Sequence, residues 1–245
     1  MKVITIATQK GGAGKTTTAA ALAQAAAYRG LKSVLIDTDA QASATLIYGA
    51  DTEEAGVYEI LTGRRGNIQH TDAGDIIAPG TDIRAGASPD SLEGSRKLLQ
   101  KALQQLAPFY DVCIIDTAPG RSAMLLQALC AADTVIIPAV ADSLGLAGLR
   151  QISDSIKAAR KDNRRLTVAG VVFIKHSERT VLKRQYAELI RQQCAALGLP
   201  VADTVIREAV AIQEAQAMRT SLYSYAPRSN PARDYLKLIE ELNLF

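Results

Sequence analysis

No tryptophan occurs among the 245 residues, and there are only three phenylalanines, two histidines and three cysteines. Cys113, Cys130 and Cys194 are odd in number and far apart, which argues against a disulfide framework and fits reduced, buried thiols. With His70 and His176 as the only histidines, no familiar zinc spacing can be assembled. No apolar run approaches the ~18–20 residues of a membrane-spanning helix. The apolar stretch from Val3 to Ala7 is too short for the core of a signal peptide. A cytoplasmic protein is expected. The chain also lacks Pro-, Gly- or Ser-rich linkers, low-complexity tracts and fixed-period repeats, so residues 1–245 are expected to form a single domain. At this length about 70–75% of the unfolded surface can be buried without staples.

The net charge of +3 conceals an asymmetry. Residues 1–145 carry 12 Lys and Arg against 15 Asp and Glu, a net −3, whereas residues 146–245 carry 16 against 10, a net +6. A basic C-terminal half permits a polyanionic partner, although solvated surface charge would look the same.

Short Val- and Ile-rich runs at residues 2–8, 33–37, 75–78, 111–116, 134–138, 167–174 and 201–206 read as strands buried on both faces. Helical stretches at 16–28, 94–106, 123–131, 144–161, 181–197 and 231–242 lie between them. The alternation predicts an α/β fold, a mostly parallel sheet with helices on both faces. Ligands then bind at the carboxyl ends of the strands.

Directly after the first strand stands Lys10-Gly11-Gly12-Ala13-Gly14-Lys15-Thr16-Thr17-Thr18. A glycine-rich turn between strand and helix lets backbone N–H groups close on phosphates, which makes residues 11–17 candidates for binding a nucleotide. Lys15 would reach the β- and γ-phosphates of ATP, and the Thr16 hydroxyl would hold Mg²⁺. The usual pattern asks for glycine where Gln9 stands, and Lys10 is an additional lysine at the loop entrance, on the wrong side of the turn for the same phosphates. Asp37 and Asp39, spaced i, i+2 after the second strand, can face one cleft, one near a metal and one near an attacking water; an acidic helix cap is the alternative. The run Val112-Cys113-Ile114-Ile115-Asp116 ends in a carboxylate suited to Mg²⁺, and Pro119-Gly120 follows it.

The loop resembles the deviant Walker A of the ParA/MinD ATPases, which belong to the P-loop NTPases, and the likeness covers nearly the whole chain. Asp37-x-Asp39-x-Gln41 is similar to the family's first switch, and Asp116-Thr117-Ala118-Pro119-Gly120 to its second. By that resemblance Lys10 and Lys15 are catalytic, with Lys10 reaching across a nucleotide-sandwich homodimer formed in the ATP state. Asp39 orients the water, and Asp37 supports the Mg²⁺ shell with Thr16 and Asp116. Two departures stand out: Ala40 replaces the usual proline, and no asparagine follows the strand ending near Lys175 and His176 to read the base. No N-terminal helix-turn-helix extension is expected, as in the short partitioning ATPases.

The resemblance further implies binding of non-specific DNA, a ParB-like adaptor or cargo protein, and a nucleoid-associated location. Candidate DNA contacts are Lys157, Arg160 and Lys161, whose spacing puts three cations on one helix face, with Arg179, Lys183, Arg184, Arg207 and Arg219. Asp154 and Asp162 dilute the first cluster, and Arg207 matches the family's DNA-contacting region. Membrane attachment of the MinD kind would need a basic C-terminal helix, but residues 234–245 hold three acids and one lysine. Two other functions fit the same scaffold, an ATPase that positions a non-DNA cargo and a small-molecule ATP-dependent ligase.

Overall fold

The computed structural model describes residues 1–84, 96–176 and 181–245. The elements begin with β1 (Lys2–Ile6), α1 (Lys15–Tyr28), β2 (Ser33–Asp37), α2 (Ser43–Tyr48), α3 (Val57–Leu61), β3 (Gln69–Thr71) and β4 (Gly74–Ile77). They continue through α4 (Thr81–Arg84), α5 (Leu98–Leu106), β5 (Val112–Asp116), α6 (Ala123–Ala131), β6 (Thr134–Ala139), α7 (Ser143–Ala159), β7 (Thr167–His176) and α8 (Val181–Leu197). β8 (Ile206–Arg207), α9 (Val210–Ala217), α10 (Leu222–Tyr225) and α11 (Asn230–Glu241) follow.

All eight strands join one sheet in the order β3-β4-β2-β5-β1-β6-β7-β8, parallel except for β3. Alternate residues point to opposite faces, and both faces are apolar, as strands covered on two sides require. Val3, Val34, Ile36, Cys113, Ile115, Val135 and Ile137 pack under α5, α6, α7 and α8. Ile4, Ile6, Leu35, Val112, Ile114 and Ile136 pack under α1, α9, α10 and α11. α1 is buried along most of its length and consists largely of alanine, so its backbone can lie close on the sheet. The three cysteines are free and buried, as expected.

Most elements fall where hydrophobic runs place them. The expected strand at 201–206 does not form as such: Val201 makes an isolated bridge to Val171, and only Ile206–Arg207 pairs regularly with β7. Asp203 and Thr204 instead give their backbone N–H groups to the Glu241 carboxylate, at 2.6 and 2.8 Å, which diverts the backbone between the two strand contacts.

Candidate active site

The sheet brings three strand ends side by side. Ile6 of β1 is in register with Asp116 of β5, and Asp116 with Asp37 of β2. Hydroxyls lace these ends together: Thr117 Oγ1 donates to the Ile6 carbonyl at 2.9 Å and Thr38 Oγ1 to the Asp116 carbonyl at 2.6 Å. Strand order reverses about β1, which has β5 on one side and β6 on the other. Such a reversal opens a crevice at the carboxyl edge.

The glycine-rich loop enters this crevice. Gly12 (φ 71°) and Gly14 (φ 67°) adopt the left-handed region that favours glycine, and a Cβ on Gly14 would lie 2.3 Å from Ile174 Cδ1. Ala13, between them, is buried, whereas a Cβ on Gly11 or Gly12 would meet nothing within 4 Å in its own chain. α1 starts at Lys15 with no side-chain cap and no acid in its first turn, so the N–H groups of its first turn have no side-chain acceptor. With the helix dipole behind them, they suit an anion. Lys15 is buried, its Nζ donating to the Lys10 carbonyl at 3.3 Å. Burial lowers the Lys15 pKa, opposed by the carboxylates of Asp116 and Asp39.

The three aspartates have different surroundings. Asp116 is fully buried and neither carboxylate oxygen makes a hydrogen bond of ordinary geometry. Its pKa is pushed well above the usual range, by burial first and by Asp37 second; the Thr16 hydroxyl and Lys15 pull the other way. An orphaned carboxylate between a threonine and a lysine is what a hard cation carrying phosphate oxygens would satisfy. Among the described residues no group of three or more His, Cys, Asp or Glu could hold a metal. Asp37, also fully buried, has both oxygens engaged: Oδ2 accepts from Thr45 N and Oγ1, each at 2.9 Å, and Oδ1 from Asp39 N at 3.1 Å. It therefore anchors the turn and the start of α2. Asp39 is half-buried, and its Oδ1 accepts from Gln41 N at 3.0 Å. These bonds, with Ala42 at φ 53°, shape the turn without the proline that Ala40 replaces.

A cavity of about 190 Å³ opens beside the loop, lined among others by Gly14, Thr17, Ile174, Lys175, Arg207 and Tyr235. No sequence pattern marks it, because its walls come from four distant segments. Lys175 stands there at φ 50°, a backbone state with no signature in the sequence. Arg207 is held by a two-pronged pair with Asp234, Nε to Oδ2 at 3.0 Å and Nη2 to Oδ1 at 2.6 Å. Its charge is thus matched within the chain, which weakens it as a DNA contact relative to the sequence expectation.

The other candidate DNA contacts do not form one patch. α7 runs back from the carboxyl end of β6, and Arg160 Nε donates to the Leu166 carbonyl just before β7 at 3.1 Å, so Arg160 and Lys161 lie towards the amino edge of the sheet, with Lys157 between them and Ser155, which Gln9 reaches. Asp154 is tied to Arg121, ahead of α6, at 3.3 Å and Asp162 to Arg96 at 3.0 Å, so the acids that dilute this cluster are already paired. α8 begins after β7, placing Lys183 and Arg184 at the carboxyl edge, on the same side as the loop. Arg219 (φ 51°) is exposed after α9, its stem against Gly49, and Arg179 lies outside the described residues.

An AAA domain family model matches residues 1–168. The chromosome-partitioning ATPase Soj of Thermus thermophilus is 34% identical over 98% of this chain and 94% of its own length. The sporulation initiation inhibitor protein Soj of Bacillus subtilis is also 34% identical, covering 98% of both. The chain belongs to the ParA/Soj family of ATPases. It is an ATPase, and a cobyrinic acid a,c-diamide synthase of Mycobacterium smegmatis, 27% identical with a TM-score of 0.78 over 94% of this chain and 98% of that one, is solved with bound ADP and magnesium. The ATP complex of a variant of Cyanothece McdA shares the fold with a TM-score of 0.85 at 22% identity, over 100% of this chain and 97% of that one. Within this ParA/Soj chain no described helix is long and apolar enough to cross a membrane.

The buried carboxylates should make the nucleotide-free protein less stable as pH rises. Burial pushes Asp37 from 3.8 up to about 6. Between those values the folded chain holds a proton that the unfolded chain has released, so stability is fully present below 3.8 and is lost as pH rises through about 6. Asp116→Asn removes a carboxyl that burial and Asp37 make costly to ionise. It should raise the nucleotide-free melting temperature at pH 7.5 by several degrees, at roughly 2–4 °C per kcal/mol for this size, while the stabilisation given by Mg²⁺ with ATP disappears. Thermal scans with and without Mg-ATP check both; a lower melting point in the nucleotide-free variant would refute the argument.

Proposed function

We propose that this chain is a DNA-partitioning ATPase whose two ATP-loaded copies close on each other, bind DNA without reading its bases, and hydrolyse slowly until an adaptor acts. The observation that carries it is the loop entrance. Lys10 is ion-paired with Asp142 at the start of α7, and a Cβ on Gly11 or Gly12 would meet nothing within 4 Å among the described residues. Both features leave room for a second subunit to approach the loop closely. The chromosome-partitioning name of a relative at 34% identity supports DNA as the cargo.

In this reading residues 1–245 act as one domain, and Gly11, Gly12, Ala13, Gly14, Lys15, Thr16 and Thr17 cradle the phosphates. Mg²⁺, held by Thr16 and Asp116 with Asp37 behind them, supplies charge neutralisation at the phosphates. Asp39 orients the attacking water. The adaptor is a ParB-like protein, and the dimer sits on the nucleoid in the cytoplasm.

Of the two cationic groups, the carboxyl-edge pair of Lys183 and Arg184 lies on the nucleotide side, so this reading gives it the ATP-dependent DNA contact. Replacing both by alanine removes four cations per dimer. With about −0.9 in log–log salt slope per phosphate neutralised, the dependence of DNA binding on salt should flatten by about 3–4. Affinity for random DNA should fall at least tenfold, with ATP-dependent dimerisation intact. Lys157→Ala with Lys161→Ala should change binding less. Binding titrations on random duplexes across salt, with ATP or ADP, test this. DNA binding equal in ATP and ADP would sink the reading, and hydrolysis unmoved by DNA would favour the ligase alternative.

A further inference from the structure

The two residues that set this loop apart from an ordinary phosphate loop are both engaged by α7. Gln9 Nε2 donates to Ser155 Oγ at 3.4 Å, and Lys10 Nζ is ion-paired with Asp142 Oδ2. Gly148 lets the helix lie close, since a Cβ there would stand 3.9 Å from both Gln9 Cβ and Lys10 N. Asp142 has two duties. Its Oδ1 accepts from Gly145 N at 2.8 Å, capping α7, while Oδ2 takes the lysine. The Lys10 side chain is only 15% exposed, so within its own subunit it already has a settled place.

We propose that Asp142 is a positioning residue that holds Lys10 inside its own subunit, so that the ATP dimer forms only by exchanging this ion pair for a contact between Lys10 and a phosphate bound to the opposite subunit. The inference rests on the sandwich-dimer reading above. It adds a threshold: a lysine can occupy only one of the two places, and both lysines must leave their own Asp142 before the subunits lock. The apparent dimer affinity is then reduced by the fraction of Lys10 that is released. An ion pair with one partner partly exposed is worth about 1.4- to 5-fold. Two pairs open per dimer, so the combined effect is about 2- to 25-fold.

Asp142→Asn separates the two duties, because asparagine caps a helix as well as aspartate does but carries no charge. In the nucleotide-free protein, amine-reactive labelling read by mass spectrometry should modify Lys10 several-fold faster in Asp142→Asn than in wild type. Equal labelling rates overturn the pairing, whatever ATP does. With ATP, sedimentation should show Asp142→Asn dimerising at 2- to 25-fold lower protein concentration. In a Lys10→Ala background the same substitution should have no effect. A gain that persists without Lys10, or no gain with it, overturns the exchange. A wild type that stays monomeric with ATP overturns the dimer reading and the exchange with it. The labelling result is obtained before any ATP is added, so it separates failure of the pair from failure of the dimer.

Discussion

Lys15→Ala loses ATP binding, by about 100-fold or more in affinity, while the protein stays folded. The expectation comes from where the ammonium sits. It is buried against the first turn of α1, with Asp116 and Asp39 as its nearest charges and the Lys10 carbonyl as its hydrogen-bond acceptor. Losing one partner of a buried charge pair typically costs about 2–5 kcal/mol. The nucleotide-free fold should lose little, because alanine removes a desolvated charge with no direct carboxylate partner. Calorimetric titration with Mg-ATP and a thermal scan check the two halves. Binding at wild-type strength would remove the loop from the nucleotide site.

Asp39→Ala should leave ATP binding within a few-fold of wild type while turnover falls about 100-fold or more, the usual scale for losing a group that handles the attacking water. The ATP dimer should persist longer. One complication is visible in the structure, because Asp39 Oδ1 also closes the turn by accepting from Gln41 N. Asp39→Asn keeps that acceptor and removes only the charge, so both variants should lose turnover if the carboxylate handles water. If asparagine restored hydrolysis, Asp39 would be a turn residue and nothing more. Single-turnover assays with pre-bound ATP distinguish the outcomes. Slow hydrolysis is also what a timing device needs, since its ATP state must outlast diffusion.

Much of this architecture was legible in advance. Apolar runs such as Val112–Asp116 and Ser33–Asp37 are strands, and the helices at 123–131 and 181–197 fall on the expected residues. Where legibility failed, the signal was weak or remote. β3 is Gln69-His70-Thr71, a polar edge strand with no hydrophobic run, stabilised by pairing with β4. Short helices such as α2 and α10 hold only one turn or so, too little for a 3.6-residue period to show. The cationic residues looked like one basic half, yet the crossover from β6 to β7 sends Arg160 and Lys183 to opposite edges of the sheet.

Neighbours along the chain set the strand–loop–helix with its glycines, the carboxylates at strand ends and the buried periodicity of both sheet faces. These are short-range effects, because backbone sterics, helix hydrogen bonds and strand alternation act within a few residues. Long-range packing alone leaves Asp116 without an ordinary hydrogen bond while Asp37 is fully engaged, matches Arg207 with Asp234, and gives Lys10 to Asp142. Each of those contacts joins strands or helices far apart in the chain. Sheet register and helix packing set them, and no local pattern encodes which charge will find which partner.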